Sequence, residues 1–127
     1  MSVRAVRGAT QLHTDTREHL LDRVAEMVSE VIDANDLIVD DFISIIFTAT
    51  SDLHSEFPAY AARQLGFGDV PLICARELEI DGSMPRVIRM LAHIETALSR
   101  DAVTHVYLHG AAALRRDLTR VRAVPDD

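Results

Sequence analysis

Four residues of this chain are charged or carry a hydroxyl at positions within apolar segments, where side chains that only pack the core are expected. Arg7 and Tyr107 each interrupt a predicted strand, Glu77 lies inside the segment VPLICARELEI, and Arg89 lies inside PRVIRMLAHI. An arginine offers a permanently charged, planar fork of N–H donors, and a carboxylate offers only acceptors. All 13 basic residues of the chain are arginines, so an anion site in this protein would be built from arginine.

Each of these positions also has a purely structural interpretation. The helical spacing of residues 87, 88, 91 and 94 would leave Arg89 on the solvated side of a helix. Glu77 alternates with the charged residues Arg76 and Glu79, and one face of an edge strand could hold such charges without doing any chemistry. Spacing alone does not decide between a structural and a chemical role.

The composition limits the classes of partner. A net charge of −7, no tryptophan and only 5% aromatic residues argue against binding nucleic acid or anionic lipid. The single cysteine, Cys74, excludes an intrachain disulfide, and no Cys/His spacing indicates zinc. Because no apolar run could span a bilayer and the first residues lack the apolar stretch of a signal peptide, we expect a soluble, cytoplasmic protein.

Hydrophobic periodicity predicts one domain over residues 1–127, with alternating strands and helices. Asp15 and Glu18 suggest a capping box for the first helix. The predicted strands are Val3–Thr10, Phe42–Thr50, Val70–Ile80 and Thr104–His109, and the predicted helices are Thr16–Ala34, Pro58–Leu65, Pro85–Arg100 and a short turn at Ala111–Leu118. This alternation implies a layered sheet with helices on at least one face, and the sheet need not be purely parallel. We assign the chain to the α+β class, with a mixed sheet, helices packed on one face and a polar tail at about 119–127. We expect copies of the chain to cover the other face in a symmetric oligomer.

Five ordered segments carry a resemblance to a known family. They are RGAT at 7–10, TSDLHSEFPAYAAR at 50–63, VPLICARELEI at 70–80, IR at 88–89 and HVYLHGAAALRRDL at 105–118. Together they resemble the monofunctional chorismate mutases of the trimeric α/β class, over essentially the whole chain. The resemblance implies a homotrimeric pseudo-α/β barrel that rearranges chorismate to prephenate, for phenylalanine and tyrosine biosynthesis, without cofactor or metal.

The same resemblance implies roles for the four unusual residues in a cleft between subunits. Arg89 would donate to the ether oxygen of chorismate and reach a carboxylate, while Arg7 and Tyr107 would bind carboxylate groups. Glu77 would accept a hydrogen bond from the ring hydroxyl, as an anchor and not as a base. Cys74 would lie nearby and touch the substrate, although a cysteine in an apolar strand is by itself typical of inert core.

The resemblance also implies a set of substrate-binding residues at the wall and mouth of the cleft: Phe57, Ala59, Tyr60, Arg63, Ile73, Leu114 and Arg115. Three positions depart from the family pattern. Tyr60 stands where lysine is frequent, Ile73 where threonine is common, and Arg116 where proline often follows the mouth arginine.

Two other functions stay open on the sequence. A trimeric imine or enamine deaminase of related fold also places an arginine and a carboxylate between subunits, and a non-catalytic trimer could bind an anionic metabolite through its arginines. A metal site is not predicted. His105 and His109 are four apart on a predicted strand and would share a face, but no third ligand accompanies them.

Overall fold

The structure is a computed structural model that describes residues 1–114 and 121–124. Within these residues the strands and α-helices are β1 (Ser2–Gln11), α1 (Arg17–Ala34), β2 (Phe42–Ala49), α2 (Pro58–Gln64), β3 (Leu72–Arg76), β4 (Val87–Thr96), β5 (His105–Leu108) and β6 (Val121–Val124). Short 3-10 helices lie at Val39–Asp41, Arg100–Ala102 and His109–Ala113.

The described strands form one mixed sheet in the order β3-β2-β4-β1-β5-β6. β4 is antiparallel to both of its neighbours, β1 and β2, whereas the pairs β1–β5, β2–β3 and β5–β6 are parallel. α1 packs on β1 and β5, and α2 packs on β2 and β3. The predicted α+β fold with a mixed sheet is confirmed. None of the helices in the described ranges is long and apolar enough to cross a membrane.

α1 begins and ends close to the predicted residues. Thr16 is its N-cap, and the Thr16 hydroxyl accepts a hydrogen bond from the His19 N–H at 3.3 Å. The expected capping box is wrong, because the Asp15 carboxylate accepts from the backbone of the 50–57 loop instead. The helix ends at Asn35, whose side chain bonds the backbone of Val31 and Thr104 and so ties the helix to the start of β5.

The predicted helix from Pro85 to Arg100 is wrong, since Val87–Thr96 form the central strand β4. Its buried residues alternate with exposed ones from Ile88 onward, as a strand with one covered face requires. Val87, Ile88, Leu91 and Ile94 also fit a helical stripe, but Met90 and Ala92 are buried and Leu91 is exposed. Pairing on both sides, to β1 and to β2, fixes this segment as a strand.

Residues 121–124, which the sequence assigned to a polar tail, form β6 and pair in parallel with β5. Arg122 donates to Glu30 and Asp33 on α1 at 3.1 and 2.7 Å. These two carboxylates raise the pKa of Arg122 above its ordinary value by accepting its hydrogen bonds.

One face of the sheet is covered by the two α-helices, and the other face is exposed in the single chain. Toward the helices lie Val6 and Gly8. A side chain on Gly8 would come within 2.7 Å of Met90, so the close packing at this position requires glycine. The opposite side, which we call the open face, carries exposed Val3 and Arg7 on β1, together with Arg89 and Leu91 on β4.

Candidate active site

Strand register places three of the four unusual residues close together on the open face. Arg89 on β4 is paired with Thr48 on β2 and with Ala9 on β1, and Ala9 is paired in turn with Tyr107 on β5. Arg7 lies two residues before Ala9 and therefore on the same face. The small side chain of Ala9 thus separates Arg89 from Tyr107.

Glu77 reaches this group from the end of β3. Its backbone N–H donates to the Ala49 carbonyl at 3.0 Å, which continues the pairing with β2 by one residue. Its Oε2 accepts a hydrogen bond from the Thr48 hydroxyl and lies 3.4 Å from Nε of Arg89. The Glu77 side chain is 21% exposed and that of Arg89 is 45% exposed, so the ion pair is partly shielded from water.

These residues line one cavity of about 290 Å³, which we call the sheet cavity. Its walls are Arg7, Gly8, Ile46, Thr48, Glu77, Arg89, Met90, Leu91 and Tyr107. Tyr107 is buried against Ala9 and Ala111, and Leu114 packs on this group and lines an adjoining space with Glu77 and Arg89. The structure therefore brings Arg7, Glu77, Arg89, Tyr107 and Leu114 together.

A second group of predicted site residues forms what we call the outer wall: Phe57, Tyr60, Arg63, Ile73 and Cys74. Phe57 is the N-cap of α2, with Pro58 at the first helical position, and it is 67% exposed. The centre of the Tyr60 ring lies 5.2 Å from the guanidinium group of Arg17 and 5.9 Å from that of Arg63. Ala59, which was also predicted for the site, is buried in the core.

Arg17 is held at the outer wall by Glu56. The Arg17 Nε donates to Glu56 Oε1 at 2.8 Å, while Glu56 Oε2 accepts from the Phe57 N–H at 2.9 Å. The Phe57 N–H, and after it Arg17, lower the pKa of Glu56, and the Glu56 hydrogen bond raises the pKa of Arg17. The carboxylate thus joins the α2 start to a cation from α1.

Phe57 and Cys74 line a second cavity of about 370 Å³, distinct from the sheet cavity. Cys74 and Ile73 lie on the edge strand β3, and both are exposed in the single chain. The expectation that Cys74 is buried core is therefore wrong, because β3 has no neighbour on its outer side among the described strands. Arg115 lies outside the described residues.

The two histidines do not share a strand face as predicted. His109 begins a 3-10 helix with a φ of 53°, and its Nε2 lies 2.7 Å from Glu26 Oε1 on α1. His105 Nδ1 instead accepts from the Arg7 N–H at 3.0 Å, so it supports the β1 backbone. Across the described part of the chain, no group of three or more His, Cys, Asp or Glu residues could hold a metal ion.

Sequence reasoning missed Thr48 and Arg17. The alternation around buried Phe47 in the β2 segment was a signal for Thr48, because it puts positions 46 and 48 on the face opposite the core. Arg17 gave no comparable signal, since its contact with Tyr60 depends on how α1 and α2 pack.

Comparison with known proteins identifies the family of this chain. Residues 3–118 match the family described as chorismate mutase type I. The chain is 45% identical over 117 residues to the chorismate mutase AroH of Thermus thermophilus, covering 91% of this chain and 96% of that protein. It is 35% identical over 120 residues to the chorismate mutase AroH of Bacillus subtilis, covering 94% of each.

A solved structure gives the same result for the fold. The chorismate mutase from Clostridium thermocellum superposes with a TM-score of 0.85 at 38% identity, covering 86% of this chain and 97% of that one. The predicted family, fold class and enzyme class are confirmed. The chain belongs to the type I chorismate mutase family and is therefore an isomerase.

Proposed function

We propose that this chorismate mutase converts chorismate to prephenate in aromatic amino acid biosynthesis, at a site that two adjacent subunits of a homotrimer complete. The observation that carries the proposal is the sheet cavity, where Arg7, Glu77, Arg89 and Tyr107 meet in a chain of this family. The substrate is a dicarboxylate enol-pyruvyl ether, and its charge and oxygen atoms match these side chains in type.

The reaction is an intramolecular Claisen rearrangement, in which one C–O bond breaks while one C–C bond forms. Negative charge develops on the ether oxygen as the C–O bond lengthens. Nε of Arg89 lies near Glu77, and the other guanidinium N–H groups are then available for the ether oxygen and a carboxylate. A fixed donor at a developing oxyanion is worth about 3 to 4 kcal/mol, near half of the ~8 kcal/mol that a millionfold acceleration requires.

The other three residues hold the reactive conformation. Arg7 and Tyr107 bind carboxylate groups, and Glu77 accepts from the ring hydroxyl. Holding the reacting carbons together supplies the rest of the acceleration. Since no proton is transferred in the rearrangement, we expect the rate to change little with pH around neutrality. The chemistry calls for no cofactor and no metal.

Two observations support a subunit interface at the site. First, no outer-wall residue lines the sheet cavity of its own chain, and Phe57 and Cys74 line a separate cavity. A neighbouring copy would therefore have to bring the outer wall of one subunit to the sheet cavity of another. Second, the open face exposes apolar Val3 and Leu91, 57% and 37% exposed, beside Arg7. A symmetric neighbour would bury this surface. The exposed free thiol of Cys74 fits a reducing cytoplasm.

The first experiment measures the loss of chorismate ultraviolet absorbance with purified protein, without added metal or cofactor, beside an Arg89→Ala control. We expect saturable conversion to prephenate that the substitution abolishes. A bell-shaped pH profile centred near a histidine pKa would contradict the mechanism. Binding of chorismate without conversion would favour the anion-binding module, and imine hydrolysis without mutase activity would favour the deaminase.

Mixing two damaged proteins tests the shared site. Arg89→Ala damages the sheet cavity and Arg63→Glu damages the outer wall. The two variants are unfolded together and refolded as mixed trimers. In an equal mixture about one quarter of the sites pair an intact sheet cavity with an intact outer wall, so we expect about one quarter of the parent activity at low substrate concentration. Mixtures no more active than the separate proteins would overturn the intersubunit site. Light scattering then reports whether the mass is three times the 14.1 kDa chain.

A further inference from the structure

Thr48 is placed to act on Glu77 and not on the substrate directly. It lies on the open face of β2, opposite Arg89 in the register of β2 and β4, and it lines the sheet cavity. Its hydroxyl donates to Oε2 of Glu77, and Nε of Arg89 lies 3.4 Å from that same oxygen. One carboxylate oxygen therefore receives both contacts.

The two carboxylate oxygens of Glu77 therefore differ in their contacts. Oε1 has no hydrogen bond to any group in the described ranges, so it is available to accept from a ligand. The backbone of Glu77 is fixed by its bond to Ala49, but the last torsion of a glutamate side chain has a broad energy minimum. Without Thr48, the carboxylate would be held only by the longer contact to Arg89.

We propose that Thr48 is a positioning residue for the rearrangement. Its hydroxyl holds Oε2 of Glu77, which leaves Oε1 for the ring hydroxyl of chorismate and leaves the outer N–H groups of Arg89 for the ether oxygen. This inference rests on the proposed function and assigns to it a residue outside the predicted set. A bond to an ionised acceptor is stronger than one between neutral groups, so its loss should be measurable in the rate.

The test is a double-mutant cycle with Thr48→Val, which keeps the shape and removes the hydroxyl, and Glu77→Ala. We expect Thr48→Val to lower kcat/KM about tenfold in the parent protein and less than about twofold in the Glu77→Ala background. Thr48→Ser, which keeps the donor, should restore the rate to within about twofold of the parent. A purely structural role would produce the same factor in both backgrounds.

The matched control is Thr10→Val on the covered face of β1. The Thr10 hydroxyl is buried without a hydrogen-bond partner in the described part of the chain, so its removal should leave kcat/KM unchanged. If Thr48→Val does not fold, Thr48→Ala replaces it in the cycle. Equal effects in both backgrounds, or no effect in either, would overturn the inference while parent turnover still supports the proposed function. A parent protein without turnover would overturn both.

Discussion

The sheet cavity and the outer wall hold residues of one predicted site, yet the chain builds them in different ways. Arg7, Arg89 and Tyr107 lie on neighbouring strands, where register fixes their relative positions. Phe57, Tyr60 and Arg63 lie at the start of or within the short helix α2, where the Tyr60 ring contacts Arg17 of α1 and Arg63 of α2 itself. The backbone of α2 is anchored by buried alanines, but Tyr60 and Arg63 are held only by surface contacts between rings and charges, which fix side-chain positions less closely than strand register does.

This difference matches two requirements of the proposed site, which must bind a charged substrate and also hold donors in fixed positions for the reaction. The rearrangement needs donors that are fixed before the reaction, and the sheet supplies them. Entry of a dianion into a protein of net charge −7 needs local positive charge. At the outer wall we expect Arg63 to supply it, since the charge of Arg17 is balanced by Glu56. Substitutions in the sheet cavity should therefore act on kcat, and those in the outer wall on KM.

The largest effect is expected from Arg89→Lys. Lysine keeps the charge but loses the planar fork, so it cannot serve Glu77, the ether oxygen and a carboxylate together. Removing one donor of this kind costs about 10²- to 10³-fold in kcat, and we expect a fall of that size from steady-state kinetics. Arg100→Lys, at an exposed arginine outside both regions, is the control. A near-normal kcat for Arg89→Lys would remove this residue from the chemical step.

A smaller effect is expected from Arg63→Ala. Its guanidinium is exposed and lies 5.9 Å from the Tyr60 ring, so it contributes to binding mainly through charge. One charge contact in a solvated site is worth about 1 kcal/mol, which predicts a rise in KM of about fivefold with kcat little changed. The effect should shrink as salt is added. An unchanged KM, or a change matched by Arg100→Ala, would place Arg63 outside the site.

Sequence periodicity predicted the helix α1 better than it predicted β4, the strand at the centre of the sheet. α1 was predicted from its long stripe of apolar residues, a local signal that indicated the helix although the expected cap at Asp15 was wrong and Thr16 is the N-cap. β4 contains apolar residues that satisfy both a helical and an alternating pattern, and Pro85 before it also suits a helix start. Only pairing with β1 and β2 decides between the two, and sequence spacing does not contain that information.

Four of the proposed site residues were first noticed by residue type, and the roles expected of them came from the family resemblance and not from geometry. Arg7, Glu77 and Tyr107 were noticed because charge or a hydroxyl is unusual in an apolar strand. Arg89 was noticed for the same reason but placed on a helix, where it would not have faced Thr48. Thr48 itself was overlooked, because a threonine in a strand is ordinary until its partner is known.

The smallest effect concerns what holds the outer wall, and Asp15→Asn tests it. Burial alone would raise the pKa of Asp15, but hydrogen bonds from Ser55 and the His54 N–H outweigh it and lower this pKa below its ordinary value. A lowered pKa in the folded state stabilises the fold at neutral pH, and that stabilisation disappears as pH falls through the folded-state pKa.

We therefore expect Asp15→Asn to lower the melting temperature by a few degrees at pH 7 and by less near the acid end of the stability range. Thermal unfolding followed by circular dichroism at several pH values measures both differences. Asp69→Asn, at an exposed aspartate, should change neither. Because the same loop leads to Phe57, KM should rise slightly at neutral pH while kcat stays constant. A deficit in melting temperature that is independent of pH would mean that the Asp15 charge does not hold this loop.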